Sequence, residues 1–253
     1  ISPTEHVDSR WLSRKDFANA ANLQVVEVLA SEIGVVPHRY TLGFVKQGED
    51  YQLVALVGLE KDRNLYVDLK GRWLSEYIPA TLRCYPFILA DHKENEDEKV
   101  LCIDQDCLTE DTDAPRLFKD DGEQDENFTE VFNFLIRCNQ DRVATQAASN
   151  ALAGAEVIEA WPLNVQKDGE EGVTTVEGLY RINEAKMNSL VAAEFAGLRE
   201  TGAFSVAYAQ LFSMPQLRQL YRRHKFLALQ QSQLDNNQEV SDSFPEDESL
   251  SLD

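Results

Sequence analysis

Between Gln24 and Ile103 the chain is a series of short β-branched and aromatic runs, most of them joined by only a few residues. A parallel pair needs a crossover of about a dozen residues or more, so a sheet built from these runs is mostly antiparallel. The runs are Gln24–Val28, Thr41–Lys46, Tyr51–Leu59, Asn64–Leu69, Tyr85–Ala90 and Lys99–Ile103. Strongest is the hairpin around Gln47-Gly48-Glu49-Asp50, with Thr, Phe, Val and Tyr on either side of a glycine-bearing turn. Leu29–Val36 reads as a helical turn that Pro37 breaks.

From Phe128 the period changes. Phe128, Val131, Phe132, Leu135, Ile136, Cys138 and Val143 recur mainly at three- and four-residue spacings, which predicts a long amphipathic helix from Phe128 to about Ala153, ended by Gly154. Val157–Val165 and Thr174–Ile182 flank Lys167-Asp168-Gly169 as a second hairpin, and Asn183 is a good N-cap. Helices follow over Met187–Thr201, Gly202–Ser213 and Pro215 to about Gln230, with Ser213 as a cap. In the last of them Leu217, Leu220, Tyr221, His224 and Ala228 share a face. The expected fold is therefore α+β: a mostly antiparallel sheet from the N-terminal half, a long central helix and a C-terminal group of helices. One domain is expected over residues 1–230.

The formal charge is −20, and two stretches supply nearly all of it: residues 91–126 and residues 235–253. Such a chain repels nucleic acid and anionic lipid, and no apolar run approaches the roughly 18 residues of a membrane span. The first acidic stretch still carries Val100, Leu101, Ile103, Leu117 and Phe118, so it reads as folded with solvated loops. Residues 231–253 have too few apolar side chains to offset the entropy of ordering, and read as a disordered acidic tail. Calcium loops of the EF-hand type do not fit, because Thr109 and Pro115 occupy the positions that need glycine and glutamate. The opening Ile-Ser-Pro-Thr-Glu-His-Val-Asp lacks a secretory pattern.

Cys84, Cys102, Cys107 and Cys138 are too few and scattered for a disulfide framework, and point to free thiols in a reducing compartment, most simply the cytoplasm. Cys102 and Cys107, with His92 and Cys84, could hold zinc on paper, but there is no matching second pair; neither a metal nor a cofactor is expected. Redox chemistry is the other alternative for the thiols. G-x-S-x-G, the phosphate-loop pattern, G-x-G-x-x-G and H-E-x-x-H are all absent, so no catalytic residues are assigned. His38 is a lone loop histidine, and a Cys84–His38 nucleophile pair would need an adjacency that spacing does not supply. Two binding regions stand out. Arg72, Trp73, Tyr77, Arg83 and Tyr85 lie in an aromatic, proline-bearing connection that must either pack well or bind a ligand. Arg222, Arg223 and His224, in the one sharp basic cluster, are candidates for an acidic partner, against the plainer role of cations near a helix C-terminus.

Three blocks carry a family resemblance: Val54–Leu69 with Gly71-Arg72-Trp73; Ile78-Pro79-Ala80…Arg83…Tyr85-Pro86-Phe87; and Gly178–Glu184 running into Gly202-Ala203…Tyr208-Ala209-Gln210-Leu211…Ser213. Together they resemble the bacterial SapC family, named for a surface-layer-associated protein. The resemblance brings no catalytic residues. It implies an accessory role beside a protein partner, such as a halogenase-like or envelope-system protein. The leading expectation is a non-catalytic interaction protein with a protein partner or as a homo-oligomer, without nucleic acid or membrane insertion. The alternatives are a small-molecule binder or enzyme using residues 72–87, and a surface-layer component at the cell envelope.

Overall fold

The computed structural model describes residues 1–2, 4–13, 16–91, 99–166 and 173–242. Its elements, in chain order, begin with strands Arg10–Trp11 (β1), Val25–Glu27 (β2), Thr41–Gln47 (β3) and Asp50–Leu56 (β4). One helical turn, Ala80–Arg83 (α1), precedes strands Phe87–Asp91 (β5), Lys99–Ile103 (β6) and Leu108–Thr109 (β7). The long helix Glu126–Gly154 (α2) leads to Ile158–Ala160 (β8), Leu163–Gln166 (β9), Val173–Val176 (β10) and Leu179–Ile182 (β11). Helices Glu184–Asn188 (α3), Ala192–Glu200 (α4), Ala203–Ser213 (α5) and Leu217–Asp242 (α6) complete the chain. The class is α+β, and among the described residues every strand pair is antiparallel.

The expected hairpin is the spine of the main sheet, whose order is β2-β4-β3-β11-β8. Its register runs from Thr41 opposite Leu56 to Gln47 opposite Asp50, closed by Gly48 at φ 60°. α2 and α5 pack on this sheet, around Tyr40, Leu42, Phe44, Leu53, Leu56 and Leu152. A second, smaller cluster joins Trp11, Leu29, Phe87, Leu117, Phe128 and Leu135. Thus α2 serves two cores, its first half burying Phe128, Leu135 and Cys138 and its second Ala148 and Leu152. Asp125 caps it by accepting the Asn127 N–H.

Several expectations are corrected. Asn64–Leu69 is a pair of turns rather than a strand. The Asn64 carboxamide accepts the Tyr66 N–H at 2.8 Å and donates to the Ala20 carbonyl at 2.9 Å, replacing a ladder with local side-chain bonds. The second hairpin is broken at Trp161-Pro162 and Gly178, so β8 pairs with β11 in the main sheet while β9 and β10 form a separate ribbon. Its turn at Lys167-Asp168-Gly169 lies outside the described residues. Val143 is 65% exposed, because the buried stripe of α2 passes through Cys138, Thr145 and Ser149, and Val143 sits off it. The last helix runs on to Asp242 rather than ending near Gln230; residues 243–253, like His92, lie outside the described residues. Asn183 caps α3 as expected, accepting the Lys186 N–H at 2.9 Å. Among the described residues, no helix is long and apolar enough to cross a membrane.

Ser213 does not act as a cap. β3 and β11 pair only at Val45–Leu179 and Phe44–Tyr180, then separate. Into that gap α5 inserts the fully buried Gln210, whose carboxamide accepts the Ile182 N–H at 3.0 Å and donates to the Leu42 carbonyl at 3.2 Å. Ser213 Oγ accepts the Leu42 N–H at 2.8 Å. A side chain thus supplies the rung the ladder lacks, and buried backbone groups left without it would each cost about 1–3 kcal/mol. Gln210→Leu is therefore expected to lower stability by about 3 kcal/mol in urea denaturation, whereas exposed Ser205→Ala should shift it by less than about 0.5 kcal/mol.

Candidate functional site

The aromatic connection after Asn64 folds around one buried carboxylate. Glu32, 4% exposed, sits in a short turn among Leu29, Ile33 and Val36. Its oxygens accept the Leu29 N–H at 2.9 Å, the Ala80 N–H at 2.7 Å and the Tyr77 hydroxyl at 2.8 Å. Arg83 Nη2 donates in turn to the Tyr77 hydroxyl at 3.4 Å, its guanidinium lying 4.9 Å from the Phe134 ring. The Tyr77 carbonyl accepts from the Tyr40 hydroxyl and from Trp73 Nε1. The Ile-Pro-Ala block is thereby pinned to the turn before β3, and α1 is held at its N-terminal end by a carboxylate.

Trp73 also stacks on Tyr66 at 5.9 Å, and Arg223 from α6 lies over the Tyr66 ring at 4.5 Å, donating to the Leu74 carbonyl at 3.0 Å. His224, buried beside Arg223, faces Glu60 at 3.9 Å. Arg222 is exposed. The basic cluster is thus divided by helical periodicity, and because α6 continues to Asp242 it sits inside the helix rather than near its end.

Of the residues expected to form a ligand site, Trp73, Tyr77 and Arg83 come together in the Glu32 network. Arg72 and Tyr85 do not. Arg72 pairs with Asp68 at 2.7 Å, in a turn whose Gly71 holds φ 74° and whose missing Cβ leaves room for Asp16. The Arg72 amide, then the Arg72 guanidinium and the Lys70 amide, hold the Asp68 carboxyl below its ordinary range. Tyr85 bonds Asp104 and receives the Cys107 thiol at 3.4 Å. Cys102 Sγ faces the Val100 carbonyl, and Cys84 is partnered by Cys138. Among the described residues no group of three His, Cys, Asp or Glu could hold a metal.

Two features escaped the sequence reading. One is Glu32 itself, whose only signal was a carboxylate in an apolar stretch. The other is an aromatic ridge on the outer side of α4 and α5. Phe195 and Phe204 lie 4.3 Å apart and Tyr208 stacks on Phe212 at 5.8 Å, with Phe204, Tyr208 and Phe212 one turn apart along α5. Phe212 is 71% exposed and Phe195 47%. A cleft of about 800 Å³ also opens between the 60–72 loop and α6, lined by cations (Lys61, Arg63, Lys70, Arg72) and by carboxylates (Glu60, Asp62, Asp68), two of which pair with Arg63 and Arg72.

Burial pushes the Tyr66 hydroxyl up to about 12, against an ordinary value of 10. Its neutral form is favoured in the fold, so this contribution is complete below pH 10 and is lost as pH rises towards 12. Unfolding should become easier over that window, and Tyr66→Phe should flatten the fall; ultraviolet titration of tyrosinate alongside urea midpoints measures both.

The SapC family model matches residues 1–220. That span includes Glu32, Trp73, Tyr77, Arg83, Gln210 and Ser213, and stops just before Arg223. No curated protein and no solved structure matches the chain. With most of its length under one family model, the chain belongs to the SapC family.

Proposed function

We propose that this protein is a non-catalytic binding protein that docks a different protein through the outer face of α4 and α5. The observation that carries this reading is the ridge of exposed Phe195, Tyr208 and Phe212, with the half-buried Phe204 packed against Phe195 between them. Contiguous exposed aromatic surface is the mark of an interaction site, and such side chains dominate binding energy. α5 contains no charged residue, so nothing on it opposes burial against an apolar partner surface. The net charge favours a different protein over a second copy as the occupant. Two copies of a −20 chain repel each other, whereas a partner with net positive charge is attracted. The polar groups of the 73–83 segment support the same view, since Tyr77, Trp73 and Arg83 are engaged in holding α1 and the Glu32 turn. Four free thiols fit a reducing compartment, and we place the protein in the cytoplasm.

A second reading, binding of a small polar molecule, rests on the 800 Å³ cleft, whose size falls within the ~300–1,000 Å³ of ligand sites and whose lining carries both charges. A thermal-shift screen of charged metabolites on wild type and Arg72→Ala would reveal it.

The ridge is tested by affinity capture from native lysate, followed by a Kd measured on the purified, identified partner. Phe195→Ser with Phe212→Ser should weaken that Kd by about tenfold or more, while Arg72→Ala leaves it unchanged. Equal affinity in the ridge variant, or light scattering that shows the wild-type chain dimerising through this face, overturns the proposal.

A further inference from the structure

Cys84 closes α1 and Cys138 lies on α2, and nothing in their spacing links them. In the fold their thiols are hydrogen-bonded to each other. Both line a cavity of about 310 Å³ between the β5–β6 hairpin and α2, together with Thr81, Phe87, Leu135 and Arg142. Arg142 is fixed there by Glu27, its Nε and Nη2 donating to the carboxylate at 2.8–2.9 Å. The sulfurs are largely covered, with Cys84 8% and Cys138 4% exposed, so a protein thiol cannot reach them but a small molecule entering the cavity can.

We propose that Cys84 and Cys138 form a peroxide-reactive thiol pair that closes to a disulfide between α1 and α2. The hydrogen bond distinguishes the two sulfurs. Cys84 S–H donates to Cys138, which holds Cys138 below the ordinary thiol range and pushes Cys84 above it. Arg83 adds to the ionisation of Cys138, while burial, Glu32 and Asp141 oppose it. Because the thiolate is the nucleophile, Cys138 attacks first. Its sulfur bonds one oxygen of hydrogen peroxide, the O–O bond breaks, and hydroxide leaves, giving a sulfenic acid on Cys138. Cys84, deprotonated by that hydroxide, then attacks the Cys138 sulfur; the S–O bond breaks and the second hydroxyl leaves as water after taking a proton from solvent. Two thiols and one peroxide become one disulfide and two waters. The two sulfurs are neighbours in one cavity, and side-chain rotation brings them to the ~2.05 Å of an S–S bond. The other two thiols lack this arrangement: Cys107 is buried against Tyr85, and Cys102 faces the Val100 carbonyl.

The experiment treats the full chain with stoichiometric hydrogen peroxide and maps thiols by mass spectrometry after alkylation. The expected product has lost two hydrogens and contains one cross-linked pair of peptides, Cys84 with Cys138, reversible by dithiothreitol. In Cys84→Ser the reaction should stop at a sulfenic acid on Cys138, trapped by dimedone, and in Cys138→Ser Cys84 should stay reduced. Circular dichroism checks that each variant is folded, and the wild-type map stands without them. Oxidation that begins at Cys102 or Cys107, or that leaves Cys84 and Cys138 as thiols while those are consumed, overturns the proposal.

Discussion

The main sheet depends on a place where two strands part company. β3 follows β4 for its whole length but meets β11 at only two positions, and beyond them the backbone of Leu42 and Ile182 faces α5. A sheet split open in a protein interior is normally untenable, since peptide groups removed from water need partners. Gln210 and Ser213 meet that need from a helix with otherwise apolar inner positions such as Val206 and Ala207. The bonds work in both directions: they close the sheet, and they fix the rotation of α5. Fixing that rotation turns Tyr208 and Phe212 outward. The exposed ridge and the buried amide are thus two faces of one helical register.

A similar economy governs the aromatic connection. A buried carboxylate is costly unless several donors converge on it, and Glu32 receives two backbone amides and a phenol. Those donors come from separate parts of the chain, so satisfying the charge assembles the turn before β3, the Trp73–Tyr77 segment and α1. Arg223 then adds α6 to the assembly by covering Tyr66. Trp73, Tyr77, Arg83 and Arg223, which stand out in sequence as binding candidates, are here clasps between elements. Their polar atoms are engaged with one another and with neighbouring backbone.

Much of the architecture was legible beforehand where local signals are strong. The Gly48 hairpin, the long α2 and the Asn183 cap follow from turn chemistry, from three-to-four periodicity and from a side chain that bonds its own backbone. Legibility failed where tertiary partners override a local preference. Asn64–Leu69 has strand composition, yet the Asn64 side chain finds a better partner in Ala20. The 157–182 hairpin reads as one unit, yet Pro162, which lacks an N–H, and Gly178, at φ 79°, divide it between two sheets.

The sequence by itself determined the class of fold, the antiparallel pairing and the strongly acidic character, because each follows from pattern, connection length or charge summed along the chain. It also marked Gln210, Ser213, Trp73 and Tyr77 as belonging to distinctive blocks, without saying what they touch. Only the tertiary structure decided that Glu32 gathers the donors, that Phe212 faces out while Gln210 faces in, and that Cys84 lies against Cys138. Those are contacts between residues far apart in the chain, and no local periodicity encodes the distance between two side chains that meet only when separate elements pack.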